Sequence, residues 1–363
     1  MKKRRVYIKK KGRLFMKRFL GVIIAASMAI SLSACGSSSS APASSGSKAA
    51  ASAASSSGGK ISIKMATGGQ DTLPSYAAAI DVINDIKSQD KNIDIQYFGA
   101  RQLGDDDAIL QQVMSGTLQM GGTAASAFAQ YTNLMDGFTI PFLINNYDKE
   151  RTAMQSDEAQ AIFDQIEKDL GIKILASYDS GMRHLANNTR PIQTVADMKG
   201  LKMRVVPTDC LIDTFKALGA NPTTMNYGDI YTGLQNKVID GEEVNITSIY
   251  SEKHYEVLKY FTEIGLYPFE TTIFCNAKWF NSLDADTQKT LEDGFKNGYN
   301  YVFDKYLKSA EDQGNKAMED AGIQVTKVDD PSEFKAAVAD VSEKYKNEDP
   351  LITAFVNMAE NLK

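Results

Sequence analysis

The sequence predicts an α/β fold with a largely parallel sheet, in a body large enough for two lobes, on three observations. Short runs of alternating apolar and polar residues are separated by longer segments of helical periodicity, the strand-helix-strand order of a parallel sheet. The body from Lys60 to Lys363 holds roughly 300 residues, long for one core. Late in that body, a proline-free amphipathic stretch of about 37 residues would form a helix roughly 55 Å long, more than one domain's width.

In chain order, alternation predicts strands at 61–66 (ISIKMA), 93–98 (IDIQYF), 118–122 (LQMGG), 172–178 (IKILASY) and 201–206 (LKMRVV). Helical periodicity predicts helices at 73–89, 106–116 and 157–171, the last ended by Gly171 in the cap position. A second set follows Arg183, with helices at 208–220 and 228–241. The long helix starts near an N-cap at Asp284, and Leu291, Phe295, Tyr299, Val302, Phe303 and Tyr306 recur along one side; the alternative is two helices broken near Gly314. A strand at 323–328 and a helix opened by Asp330 and Pro331 complete the pattern.

Before the body lies a targeting segment. Ten basic residues fill positions 2 to 18, an apolar run covers 19–32, and Leu-Ser-Ala-Cys closes it at Cys35; "MKRFLGVIIAASMAISLSAC" from Met16 is already a complete signal. The run is too short for an ordinary transmembrane span and reads as a signal peptide. Its ending resembles the lipobox of bacterial lipoproteins, so Cys35 is expected to carry the lipid, a palmitate-bearing membrane anchor. Residues 36–59 are almost entirely Ser, Ala and Gly, a composition that cannot offset its ordering entropy and is expected to be a tether.

After Cys35 the chain holds 30 basic and 45 acidic residues, a net charge near −15 that argues against nucleic acid or anionic lipid as partner. Two cysteines remain, Cys210 and Cys275; their spacing suggests no metal site, and two unpaired buried thiols are expected over a disulfide. Catalytic patterns are missing: no G-x-S-x-G, no phosphate-binding G-x-x-x-x-G-K-[ST], no C-x-x-C and no H-E-x-x-H. His184 and His254 stand apart from any serine elbow, and no cofactor is called for.

From Gly181 the chain reads GMRHLANNTRPIQTVADMKGLKMRVVPTDCLIDTFKALGANPTTMNYGDIYTGLQNKVIDGEEVN, followed by YSEKHYEVLKYF; upstream stand YFGARQLGDDDAILQQVMSGTLQM and IPFLINN. This ordered set of motifs closely resembles the solute-binding proteins of TRAP transporters over nearly the whole body. The resemblance implies a two-lobed periplasmic-binding-protein-like clamshell with mixed, mostly parallel sheets and a long helix spanning both lobes. It divides the chain into a signal peptide over 1–34, a lipidated tether over 35–59, a first lobe of 60–181 plus 271–310 and a second of 182–270 plus 311–363. It also implies a monomeric extracytoplasmic receptor for a small organic acid: a uronate or aldonate, a dicarboxylate or a keto acid. The acid would be handed to the membrane subunits of an ion-gradient-driven transporter, without catalysis.

Residue by residue, Arg204 matches the family arginine that holds the ligand carboxylate, a role suited to a rigid guanidinium fork; the alternative is an internal salt bridge. Arg183 falls on a second arginine near the carboxylate, and Arg190 is expected to position its loop. Asp106 takes an acidic position that meets ligand hydroxyls, or else is a helix N-terminal charge. Tyr178 and Tyr227 are candidate aromatic walls. In DGEEVN, Val244 stands where the family often has an asparagine and Asn245 retains the next, which predicts a cleft less polar at Val244. The same clamshell could instead serve an ATP-driven importer or a two-component sensor, and an extracytoplasmic enzyme acting on a carboxylate is a third reading.

Overall fold

Parallel strands need crossover connections, and in both lobes helices supply them. The computed structural model describes residues 60–362; the expected signal peptide, the tether and Cys35 lie outside the described residues. The first lobe opens with β1 (Ile61–Thr67), α1 (Pro74–Gln89), β2 (Ile93–Phe98), α2 (Asp106–Met114) and β3 (Met120–Ala124), then α3 (Tyr147–Met154) and α4 (Asp157–Leu170). As expected, Gly171 ends α4 in the left-handed conformation, at φ 66°.

The strand expected at 172–178 does not stop there. It runs as β4 (Ile172–Asn187) from one lobe into the other, pairing with the later β9 along its first half and with second-lobe strands along its second. Gly181, at φ 114°, and the register shift between Asp179 and Met182 interrupt the alternation that sequence reading relies on. The second lobe continues with β5 (Lys202–Val205), α5 (Asp209–Ala217), β6 (Asn221–Thr224), α6 (Ile230–Gln235), β7 (Gly241–Asn245), α7 (Ile246–Ser251) and β8 (Tyr260–Glu263). The helix expected over 228–241 is cut to α6 because Lys237 turns left-handed at φ 57° and the chain enters β7. β9 (Pro268–Asn276) then crosses back.

The sheet order is β2-β1-β3-β9-β4-β7-β5-β6, with β8 also beside β4 and paired to β10 (Gln324–Lys327). The outer pairs β1–β2, β1–β3, β5–β6, β5–β7 and β8–β10 are parallel, whereas β9 and β4 run antiparallel to their neighbours. One continuous sheet therefore passes through both lobes. The first lobe buries Ile63, Met65, Ile95, Phe128 and Phe274; the second packs Met203 and Phe215 on one face of its sheet and Val244 and Phe261 on the other.

After α8 (Ala277–Phe280) the long helix forms as expected, N-capped by Asp284. It is α9 (Ala285–Tyr301), a π-helical turn (Val302–Tyr306) and α10 (Leu307–Asp320), with no break at Gly314. α9 packs on α1 of the first lobe and α10 on α7 of the second. Its glycines allow close approach: a Cβ on Gly298 would lie 2.1 Å from the Tyr178 hydroxyl, and one on Gly314 would lie 2.5 Å from Ile246. The chain ends with α11 (Ser332–Ala337), α12 (Ala339–Lys346) and α13 (Pro350–Asn361). Here the expected lobe boundary is corrected. Phe355 of α13 stacks edge-on to Phe138 and the helix packs on α4, so the last helix joins the first-lobe core, although α12 still packs on α5. Cys210 and Cys275 are buried and free.

Substituting Gly298→Ala should force the long helix off Tyr178 and lower stability by about 1 to 3 kcal/mol, the usual range for overpacking. Urea unfolding of the variant checks this; unchanged stability would mean the helix does not depend on that close approach.

Candidate functional site

Between the lobes lies a cavity of about 280 Å³. The first lobe lines it with Gly68, Gly69, Tyr76 and Asp106, the second with Arg204, Met225 and Tyr227, and the crossing strands contribute Arg183 and Phe269. Its two ends have opposite charge.

At the positive end, Arg183 on β4 and Arg204 on β5 are 1% and 3% exposed. Both turn toward one fully buried carboxylate, Glu243 on β7. Arg183 Nη2 donates to Glu243 Oε1 at 3.1 Å, and Nη1 donates to Asn245 Oδ1 at 2.8 Å. Its Nε approaches Oε2 at 2.5 Å as an ion contact, with the N–H not aimed at the oxygen. Arg204 lies farther off, Nη1 to Oε1 at 3.6 Å, and gives Nε and Nη2 to the Met225 carbonyl at 3.4 and 3.2 Å. Its Nη1 has no hydrogen-bond partner among the described residues. The Val206 amide and the Tyr267 hydroxyl also donate to Glu243, at 3.0 and 2.8 Å. Burial lowers the pKa of Arg204, with Glu243 opposing; at Arg183 burial acts in the same direction, but Glu243 and Tyr267 together raise the pKa above its ordinary value. Two guanidiniums share one carboxylate, which leaves about one unit of positive charge at the cavity wall. The alternatives posed for Arg204 are therefore not exclusive: an internal acid holds it in place without neutralising the pair.

At the other end, α2 begins with Asp105, Asp106 and Asp107, all lining the cavity. Asp106 Oδ2 accepts from the Ala124 amide at 3.3 Å, and Oδ1 has no partner among the described residues. A Cβ on Gly68 would fall 1.6 Å from that oxygen, so glycine is required there. Burial, reinforced by Asp105 and Asp107, pushes the Asp106 pKa up to about 7. A helix N-terminus favours acids, but a carboxyl whose unpartnered oxygen is buried at a cavity wall goes beyond that effect.

Of the other expected site residues, Tyr227 lines the cavity and hydrogen-bonds Ser248 at 2.9 Å. Asn245 and Tyr178 do not line it. Asn245 braces Arg183 and donates to the Ser180 carbonyl, and Tyr178 is buried beneath the long helix, its hydroxyl on the Phe295 carbonyl. Arg190 holds its loop through the carbonyls of Asp197 and Lys199, as expected. His184 accepts the Ile264 and Gly265 amides on Nδ1, and burial pushes its pKa down to about 4. The less polar cleft expected at Val244 is not found. Val244 packs in the core with Ile230 and Ile249, because strand alternation sends Glu243 and Asn245 to one face and Val244 to the other.

Glu243, Asp105 and Asp107 went unrecognised in the sequence reading. Glu243 was legible from that alternation, since it shares its face with Asn245. At the rim, Arg101 of the first lobe makes a bidentate pair with Glu252 of the second, both bonds 2.8 Å, and its guanidinium lies 5.6 Å from the Tyr227 ring centroid. Among the described residues no group of three or more His, Cys, Asp or Glu side chains is arranged to hold a metal ion.

Known proteins are similar to this chain in sequence and in fold. The family model for bacterial extracellular solute-binding proteins, family 7, matches residues 71–349. The C4-dicarboxylate-binding periplasmic protein of Vibrio cholerae is 33% identical over 194 residues, 53% of this chain and 58% of that protein. The ectoine/5-hydroxyectoine-binding periplasmic protein of Ruegeria pomeroyi is 30% identical over 258 residues, 69% of this chain and 76% of that protein. In three dimensions the chain is similar to a TRAP periplasmic solute binding protein of a Bradyrhizobium species in complex with galacturonate, with TM-score 0.78 and 25% identity, covering 83% of this chain and 100% of that one.

Removing the shared carboxylate by Glu243→Ala leaves two buried guanidiniums unpaired and should cost about 3 to 5 kcal/mol of stability. Denaturant titration measures it, and a loss below 1 kcal/mol would contradict the role assigned to Glu243.

Proposed function

We propose that this chain, which belongs to bacterial extracellular solute-binding protein family 7, captures a small organic acid between its lobes and delivers it to the membrane subunits of a TRAP-type transporter driven by an ion gradient. The observation that carries the ligand class is the arginine pair: an excess positive charge with an unpartnered Arg204 Nη1 at the cavity wall suits a carboxylate. The ligands of the relatives support it, a C4-dicarboxylate, ectoine and galacturonate. The aspartate end refines it. A second carboxylate at that end would add to the negative charge of the Asp105, Asp106 and Asp107 cluster, so the cavity favours an acid carrying hydroxyl or N–H donors at its far end, a uronate or aldonate before a dicarboxylate. Ligand contacts to both walls exist only with the lobes together, so binding draws the population toward the closed form.

Binding and release are the whole activity in this reading, with no chemical step. Cys35 anchors the monomeric receptor through its lipid on the outer face of the cell membrane, and residues 36–59 tether it there. An ATP-driven importer or a sensor kinase as downstream partner is the competing reading; a neighbouring gene for an integral TRAP subunit decides between them.

A thermal-shift screen of uronates, aldonates, dicarboxylates and keto acids should find a sugar acid that raises the melting temperature by mass action. No shift with any of these acids would defeat the ligand class. With that acid, Arg204→Ala should lose at least ~2 kcal/mol, roughly thirtyfold in Kd by calorimetry. Cys35→Ser should release the protein from cells into the medium, read by fractionation.

A further inference from the structure

Of the segments that cross between the lobes, three come together at one place: β4 around Asp179–Met182, β9 around Pro268–Glu270, and the long helix at its π turn. They meet around a group of carboxyls that makes no hydrogen bond or ion pair with Arg183 or Arg204. Asp179 and Glu270 are register partners on the two crossing strands. Glu150 enters from α3, and Glu311 stands on α10 just beyond the π turn. Glu150, Asp179 and Glu270 are 0%, 0% and 4% exposed.

Hydrogen bonds reach only part of the group. The Gly181 amide donates to Asp179 Oδ1 at 2.8 Å, Ser177 donates to Glu270 and Tyr147 to Glu311. Both oxygens of Glu150, Oδ2 of Asp179 and Oε1 of Glu270 have no donor among the described residues, and none of the four acids forms an ion pair there. The groups facing them are the Tyr299 hydroxyl on α9, Tyr147 on α3 and Arg151, whose guanidinium is turned to the Phe303 ring at 4.8 Å. An ionised carboxylate cannot stay unpaired in such an interior at acceptable cost, so the acids hold protons. Burial first, and mutual repulsion after it, raise Glu150 and Asp179 well above the ordinary carboxyl range.

We propose that this is a proton-loaded hinge: closing the lobes takes up protons at Glu150, Asp179 and Glu270, and opening them, which bends the same three segments and admits water, releases protons. The sign follows from linkage. Below the ordinary carboxyl range both forms are protonated and pH has no effect. Above it, the open form ionises first, so the closed form loses ground as pH rises until its own raised pKa values are passed. Each linked proton weakens closure, and with it ligand capture, by up to tenfold per pH unit.

The test uses the full chain between pH 5 and 9. Small-angle scattering of the ligand-free protein should show the radius of gyration growing with pH. Calorimetry with the acid identified by the thermal screen, in two buffers of different ionisation heat, should show net proton uptake on binding. Glu150→Gln and Glu270→Gln, both outside the binding wall, should flatten both pH dependences. Flat scattering, or binding without proton uptake, overturns the proposal. So does a pH slope that both glutamine variants retain but Asp106→Asn removes, which assigns it to the cavity, or one that disappears on adding sodium or calcium, which assigns the site to a metal cation. Should the glutamine variants fail to fold, scattering of Asp106→Asn decides: a radius of gyration that still grows with pH upholds the hinge, and a flat one overturns it. Scattering needs no ligand, so failure of the hinge is separable from failure of the organic-acid reading.

Discussion

A single buried carboxylate shared by two guanidiniums holds the cavity's charged wall together. Glu243 alone beside Arg183 would be a neutral pair with nothing to offer a visitor, and Arg204 alone would carry an uncompensated charge into the interior. Three partners on adjacent strands resolve both problems, since β4, β7 and β5 lie side by side and bring the side chains together across the sheet. The Val206 amide and Tyr267 hydroxyl occupy further lone pairs of Glu243, so the carboxylate cannot swing to neutralise either arginine more fully. The residual charge is thus a property of the sheet, fixed before any ligand arrives.

Around that wall, the two lobes share more than a linker. β4 runs uninterrupted through both, and the long helix lies over the junction, made possible by glycines where it touches Tyr178 and Ile246. The departures from regularity, a register shift in β4 and a π turn in the helix, fall where the chain passes from one lobe to the other. Such irregularities are where a packed structure can bend without breaking its cores. The Arg101–Glu252 pair joins the lobes at the opposite side of the cavity, so the closed arrangement is held both at its rim and at its spine.

Much of this was legible in the sequence. Alternation found β1, β2 and β5, periodicity found α1, α4 and the long helix, and Gly171 and Asp284 marked their ends. The second-lobe strands β6 to β8 and the crossing strand β9 were not found. β6 is three polar residues and a proline, and β9 is buried on both sides, so neither alternates. The arginines, Asp106 and Tyr227 were found through a resemblance to known sequences, and the structure brings them to one cavity. Val244 was misread and Glu243 passed over for one reason: residue identity was weighed without asking which face of β7 each side chain takes. Asn245 and Tyr178 act one layer behind the cavity, a distinction that depends on depth and leaves no trace in one-dimensional spacing.

The two ends of the cavity are made of different material. The arginine wall stands on hydrogen-bonded strands and is braced from behind, whereas the facing wall comes from the turn at Gly68–Gly69 and the start of α2. Turns and helix starts accept substitution far more readily than a buried ion network does. Gripping the acid and choosing among acids are therefore assigned to parts of the chain that can vary independently. A lineage built on this plan can exchange its cargo by editing a few loop residues while the anchoring chemistry stays untouched.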